Sequence, residues 1–79
     1  MNYILLTTTA CPKCPEFKQF VVDNVTFEGV LLDETNPEFT NRIAELGVTA
    51  APTMVIFEDE KEIFRTSETY ELQDFLAKQ

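Results

Sequence analysis

The sequence predicts an α/β fold of order β-α-β-α-β-β-α, a four-stranded mixed sheet flanked by three helices, and three observations carry that prediction. Two continuous β-rich apolar runs, Tyr3 to Thr8 and Thr53 to Phe57, read as strands covered on both faces at the centre of a sheet. Three other segments repeat apolar residues at helical spacing. Only Glu58 to Lys61 separates the second run from Glu62-Ile63-Phe64-Arg65-Thr66, and a link that short requires an antiparallel hairpin. With 79 residues the chain is expected to form one domain, residues 1–79.

Taken in order, the first strand is Tyr3 to Thr8. A helix follows Cys11, because Pro12 and Pro15 stand where first-turn prolines are tolerated and Phe17, Phe20 and Val21 then recur on one face. Cys14 extends that stripe by one turn and should face the sheet, which leaves Cys11 at the helix's exposed tip. Val25 to Leu32 is the second strand, interrupted by Gly29. A second helix starts near Thr35 and Asn36: Thr35 and Glu38 have capping-box spacing, Asn36 is an equally good cap, and Pro37 presets the first turn. Its stripe is Phe39, Ile43 and Leu46, and Gly47 closes it. After the central run from Thr53, the strand Glu62 to Thr66 alternates charged and apolar residues and so belongs at an edge. Ser67 or Thr69 then caps a last helix that buries Leu72, Phe75 and Leu76.

Composition narrows the function. Fourteen acidic against six basic residues give a net charge of -8, so attraction to nucleic-acid phosphates or anionic lipid has no footprint here. No apolar stretch reaches the roughly 20 residues of a membrane span, and Met1 to Leu6 carries no basic leader, so a cytoplasmic monomer is expected. Histidine is absent, and two cysteines leave a mononuclear zinc site two ligands short within one chain. Nor are Cys11 and Cys14 a structural staple, since a cross-link around Pro12 and Lys13 alone constrains little of the unfolded chain.

In a reducing compartment a Cys-x-x-Cys pair points to thiol-disulfide exchange or metal handling. The thiolate is the attacking species, and the helix N-terminus with Lys13 favours it at Cys11, while Glu16 acts in the opposite direction. Cys14, deeper and one turn on, is placed to resolve a mixed disulfide on Cys11. The rival reading is a metal-binding module in which the two thiolates hold Cu(I), or half of a zinc or iron–sulfur site shared across a dimer.

The segments Cys11-Pro12-Lys13-Cys14, Asp33 to Glu38, Glu45-Leu46-Gly47 and Ala51-Pro52 together resemble the thioredoxin superfamily, specifically its glutaredoxin branch and the small redoxins that serve ribonucleotide reductase. X–Pro bonds are mostly trans, but the resemblance implies a cis Pro52 beside the thiols and a partner segment paired to the Ala51 backbone. It makes Cys11 and Cys14 the catalytic pair and implies a substrate-contacting set of Pro12, Lys13, Thr49, Ala50, Ala51 and Pro52. No bound cofactor is implied. Electrons would come from glutathione, or from NADPH through a thioredoxin-reductase-like flavoenzyme, and would pass to a protein disulfide, ribonucleotide reductase being the implied candidate. Thr8, Lys13, Ala50-Ala51 and Thr66-Ser67-Glu68 depart from the pattern of glutathione-using glutaredoxins. The net charge likewise argues for a protein partner with a basic face over anionic glutathione.

Overall fold

The computed structural model describes residues 1–79 and orders them β1 (Asn2–Leu6), α1 (Cys14–Asn24), β2 (Glu28–Leu32), α2 (Phe39–Leu46), β3 (Thr53–Glu58), β4 (Lys61–Thr66) and α3 (Thr69–Ala77). The sheet runs β2-β1-β3-β4. β1 pairs parallel with β2 and antiparallel with β3, which in turn pairs antiparallel with β4. The two continuous apolar runs thus occupy the two central positions. β2 is shorter than the expected Val25 to Leu32, because the Val25 N–H closes α1 on the Val21 carbonyl (2.9 Å) and so belongs to the helix end.

Strand alternation sorts the core into two layers. Tyr3 and Leu5 align with Ile56 and Met54 on one face, where α1 and α3 supply Phe17, Val21 and Leu72 to complete the buried cluster. Phe64 stacks on Phe75 at 4.4 Å along its margin. Leu6 and Val55 point to the opposite face, where α2 lies. None of α2 is fully buried, and its stripe of Phe39, Ile43 and Leu46 stays half-buried.

Gly29 is fixed by a neighbour. A Cβ there would fall within the Tyr3 ring, which lies over the β2 backbone and meets Phe27 edge-on at 6.0 Å. Gly29→Ala is therefore expected to destabilise the protein by about 1–3 kcal/mol through overpacking, read as a lower urea midpoint at unchanged slope. An unchanged midpoint would mean that Tyr3 swings aside freely.

Turns and caps hold the surprises. Asp59 and Glu60 make the tight β3–β4 turn with positive φ of 53° and 66°. Ile63 is an extra residue in β4, since Ile56 pairs with Phe64 and Phe57 with Glu62. That bulge puts Glu62 and Arg65 on one face, where they form a two-pronged ion pair at 2.6 Å. The expected Thr35–Glu38 capping box does not form. Asp33 takes both the Thr35 N–H and hydroxyl, and the Asn36 side chain accepts the Glu38 N–H (2.8 Å) instead. Gly47 ends α2 in the left-handed region, φ 68°, as expected. Neither Ser67 nor Thr69 caps α3: Thr69 is already helical and Ser67 Oγ faces Thr53. Thr66 Oγ1 accepts the Glu68 N–H and donates to Glu71 Oε1 in that role.

Candidate active site

Cys11 and Cys14 meet at the carboxyl end of β1 as a disulfide, with their Cα atoms 5.4 Å apart. Cys14 is the first residue of α1 and is buried, one turn ahead of buried Phe17 and two ahead of Val21, as the stripe requires. Cys11 lies three residues before the helix, half-buried, its N–H on the Thr8 carbonyl at 3.3 Å. The helix is thus shorter at its start than the sequence predicts. Pro15 alone occupies its first turn, whereas exposed Pro12 and Lys13 form the turn between the sulfurs. Intrahelical bonding opens with the Phe17 N–H on the Lys13 carbonyl, so the preceding donors of the helix end have no intrahelical partner.

The Ala51–Pro52 bond is cis, and buried Pro52 lines one concavity while Ala51 lines another. The first, a cavity of about 130 Å³, is also lined by Lys13, Glu16, Phe17, Ser67 and Glu68. The second, a groove of about 240 Å³, runs beneath α2, walled by Phe39, Ile43 and Val48 and by Thr49, Ala50 and Ala51. Lys13 and Pro52 thus line one concavity and Thr49 to Ala51 the other, while Pro12 is exposed in the turn between the sulfurs and lines neither. Thr53 Oγ1 donates to the Ala50 carbonyl at 2.6 Å and lies 3.1 Å from Ser67 Oγ, so the Pro52 loop is tied to the segment before α3. Exposed Tyr70 lines neither concavity. No third ligating side chain joins the two cysteines in a metal cluster.

Sequence reasoning missed one tether. Both Glu34 carboxylate oxygens accept the Thr9 N–H, at 2.8 and 3.0 Å, across 25 positions of sequence. That bond fixes the loop just before Cys11. The Thr9 side chain, and then its backbone N–H, hold the Glu34 carboxyl below the usual glutamate range. A depressed folded value means stability that is present above the ordinary 4.5 and lost as pH falls through the folded value. The Thr9 amide resonance is accordingly expected to titrate with a midpoint below 4.5, and a midpoint at or above it would show the tether to be absent in solution.

Compared with known proteins, the chain matches no protein-family model and no curated protein sequence. Solved structures do match it. Thioredoxin O2 from Arabidopsis thaliana, in the oxidized state, aligns at a TM-score of 0.81 with 16% identity, covering 98% of this chain and 72% of that one. Fasciola hepatica thioredoxin gives 0.76 at 22% identity, covering 98% and 78%. The thioredoxin NaTrxh from Nicotiana alata gives 0.76 at 23%, covering 98% and 70%. The chain has the thioredoxin fold. In it, a Cys-Pro-Lys-Cys disulfide stands at the start of the first helix.

Proposed function

We propose that the protein is a thiol-disulfide oxidoreductase that reduces protein disulfides. The observation that carries this reading is the asymmetry of the dithiol: Cys14 is buried in the helix stripe and Cys11 is more accessible, while Lys13 between them lines a cavity together with the cis Pro52. In the reduced protein the Cys11 thiolate attacks one sulfur of the partner's disulfide. A Cys11–partner disulfide forms, the partner's S–S bond breaks, and the departing thiolate takes up a proton. Cys14, giving up its own proton, attacks Cys11 Sγ, forms the internal disulfide and releases the partner's second thiolate. Two electrons pass from the protein to the partner. The helix N-terminus and the Lys13 ammonium favour the thiolate of Cys11. An extended partner strand pairs with the Ala51 backbone and is flanked by Lys13 and Pro12 on one side and Thr49 and Ala50 on the other.

Regeneration takes two electrons, from NADPH through a thioredoxin-reductase-like flavoenzyme in preference to glutathione. Two carboxylates, Glu16 and Glu68, line the cavity beside Lys13 and oppose a peptide that is itself anionic. Ribonucleotide reductase in a cytoplasmic setting is the target class that the sequence resemblance supports, with the protein acting as a single-domain monomer. Insulin reduction by the full chain tests the reading. NADPH with thioredoxin reductase should sustain turnover, and glutathione with glutathione reductase should sustain it at least about tenfold less well. Equal rates would reassign the electron donor. A protein that turns over with neither, but binds Cu(I) stoichiometrically through both thiols, would replace the oxidoreductase with a metal module.

A further inference from the structure

We propose that the uncovered end of the sheet, opposite the disulfide, docks a basic amphipathic helix of a partner protein. α2 has eight residues, about 12 Å of helix, and covers the end of its face where Phe39 and Ile43 meet Leu6 and Thr8. Beyond it the same face opens into a cleft of about 540 Å³ floored by Ile4, Val30 and Phe57, one from each of β1, β2 and β3. These three strands span roughly 10 Å, the width of one helix with its side chains. Val30 is 51% exposed despite lying within a strand. Helices cover sheet faces in α/β folds, and beyond α2 no helix of this chain covers this end of the face.

Charge selects the occupant. Glu28 and Glu60 stand on the rim, with Asp59 beside them, and none of the three has an ion-pair partner. The one basic side chain on the cleft, Arg42, is engaged by Glu45 at 3.3 Å. A second copy of the chain would set one acidic rim against another at a net charge of -8 each. A helix with leucine-like residues on one face and lysine or arginine along its flanks fills the floor and neutralises the rim. Because the cleft lies at Asn2 and Phe57 while the disulfide lies beyond Leu6, a partner held here leaves Cys11 open and raises the local concentration of any disulfide it carries.

The test titrates the full chain with a fluorescein-labelled Leu/Lys amphipathic helical peptide of about 14 residues, a scrambled peptide of the same composition and a Leu/Glu version. Saturable 1:1 binding is expected for the first alone, with amide shifts at Val30 and Phe57. Glu28→Lys/Glu60→Lys should weaken it at least about tenfold, whereas Asp23→Lys/Glu38→Lys, an equal change in net charge elsewhere, should leave it within about threefold. All four positions are exposed, so both variants should fold. The proposal is overturned if the scrambled peptide binds as well, if the two double variants weaken binding equally, if the shifts fall at the Pro52 groove, or if sedimentation shows a dimer broken by Val30→Asp. Because binding is read without any redox step, the result stands apart from that of the insulin assay.

Discussion

Cys14→Ser is expected to turn the protein into a single-turnover trap. The first exchange needs only Cys11, so the variant should still attack a disulfide partner and form a mixed disulfide. The second exchange needs a thiolate next to Cys11 Sγ, and a serine hydroxyl is not ionised near neutral pH. Intact mass should therefore show protein plus one partner chain, released by dithiothreitol, while catalytic turnover falls to background. Cys11→Ser should abolish both adduct and turnover, because the remaining thiol is only 2% exposed at the head of α1. The same asymmetry should appear in the reduced wild type, where iodoacetamide should label Cys11 at least about tenfold faster than Cys14, following access and thiolate character together. An adduct on Cys14 in the Cys11→Ser variant would falsify the assignment of roles.

The order of elements, the central places of β1 and β3 and the inward face of α1 were legible in the sequence because each rests on a period that local residues must satisfy. Cys14, Phe17 and Val21 can share one buried face only on a helix in that register. Local polar competition was not legible. Asp33, Thr35 and Asn36 all carry side chains able to bind a nearby N–H, and which of them wins depends on a turn geometry that no periodicity sets. Ser67 is the same case, drawn to Thr53 by a contact across 14 positions. The Glu34 tether depends on β1 and β2 being parallel neighbours, so that their carboxyl ends bring Thr9 and Glu34 together. The stripe of α2 told which side of that helix faces the sheet. It could not tell that eight residues would leave the far end of the face bare. At the candidate site, the helical stripe singled out the two thiols, whereas the cis bond at Pro52 followed only from the family resemblance, since X–Pro bonds are mostly trans. The sequence placed Cys11 on the helix tip, but the structure sets it in the preceding turn.

Phe17→Ala is expected to remove most of the protein's stability, and the reason lies where core and site meet. Phe17 is 2% exposed and belongs to the buried cluster with Leu5, Val21, Met54, Ile56 and Leu72. Truncating a buried phenylalanine costs about 3–5 kcal/mol in lost transfer energy and cavity. A domain of this size holds roughly 3–5 kcal/mol in all, so the variant should be largely unfolded in water, with weak near-ultraviolet signal and no cooperative thermal transition. Phe17→Leu keeps the stripe apolar and should cost about 1–2 kcal/mol, a fall in Tm of roughly 5–15 °C. The second variant separates packing from chemistry. Phe17 also floors the cavity between Lys13 and Pro52, so the folded leucine variant tests whether that floor supports exchange at Cys11. A helix anchored by Cys14 and Val21 alone would leave Phe17→Leu with the wild-type Tm. That outcome would show that Cys14 and Val21 suffice to hold α1 on the sheet and that Phe17 adds little to the core.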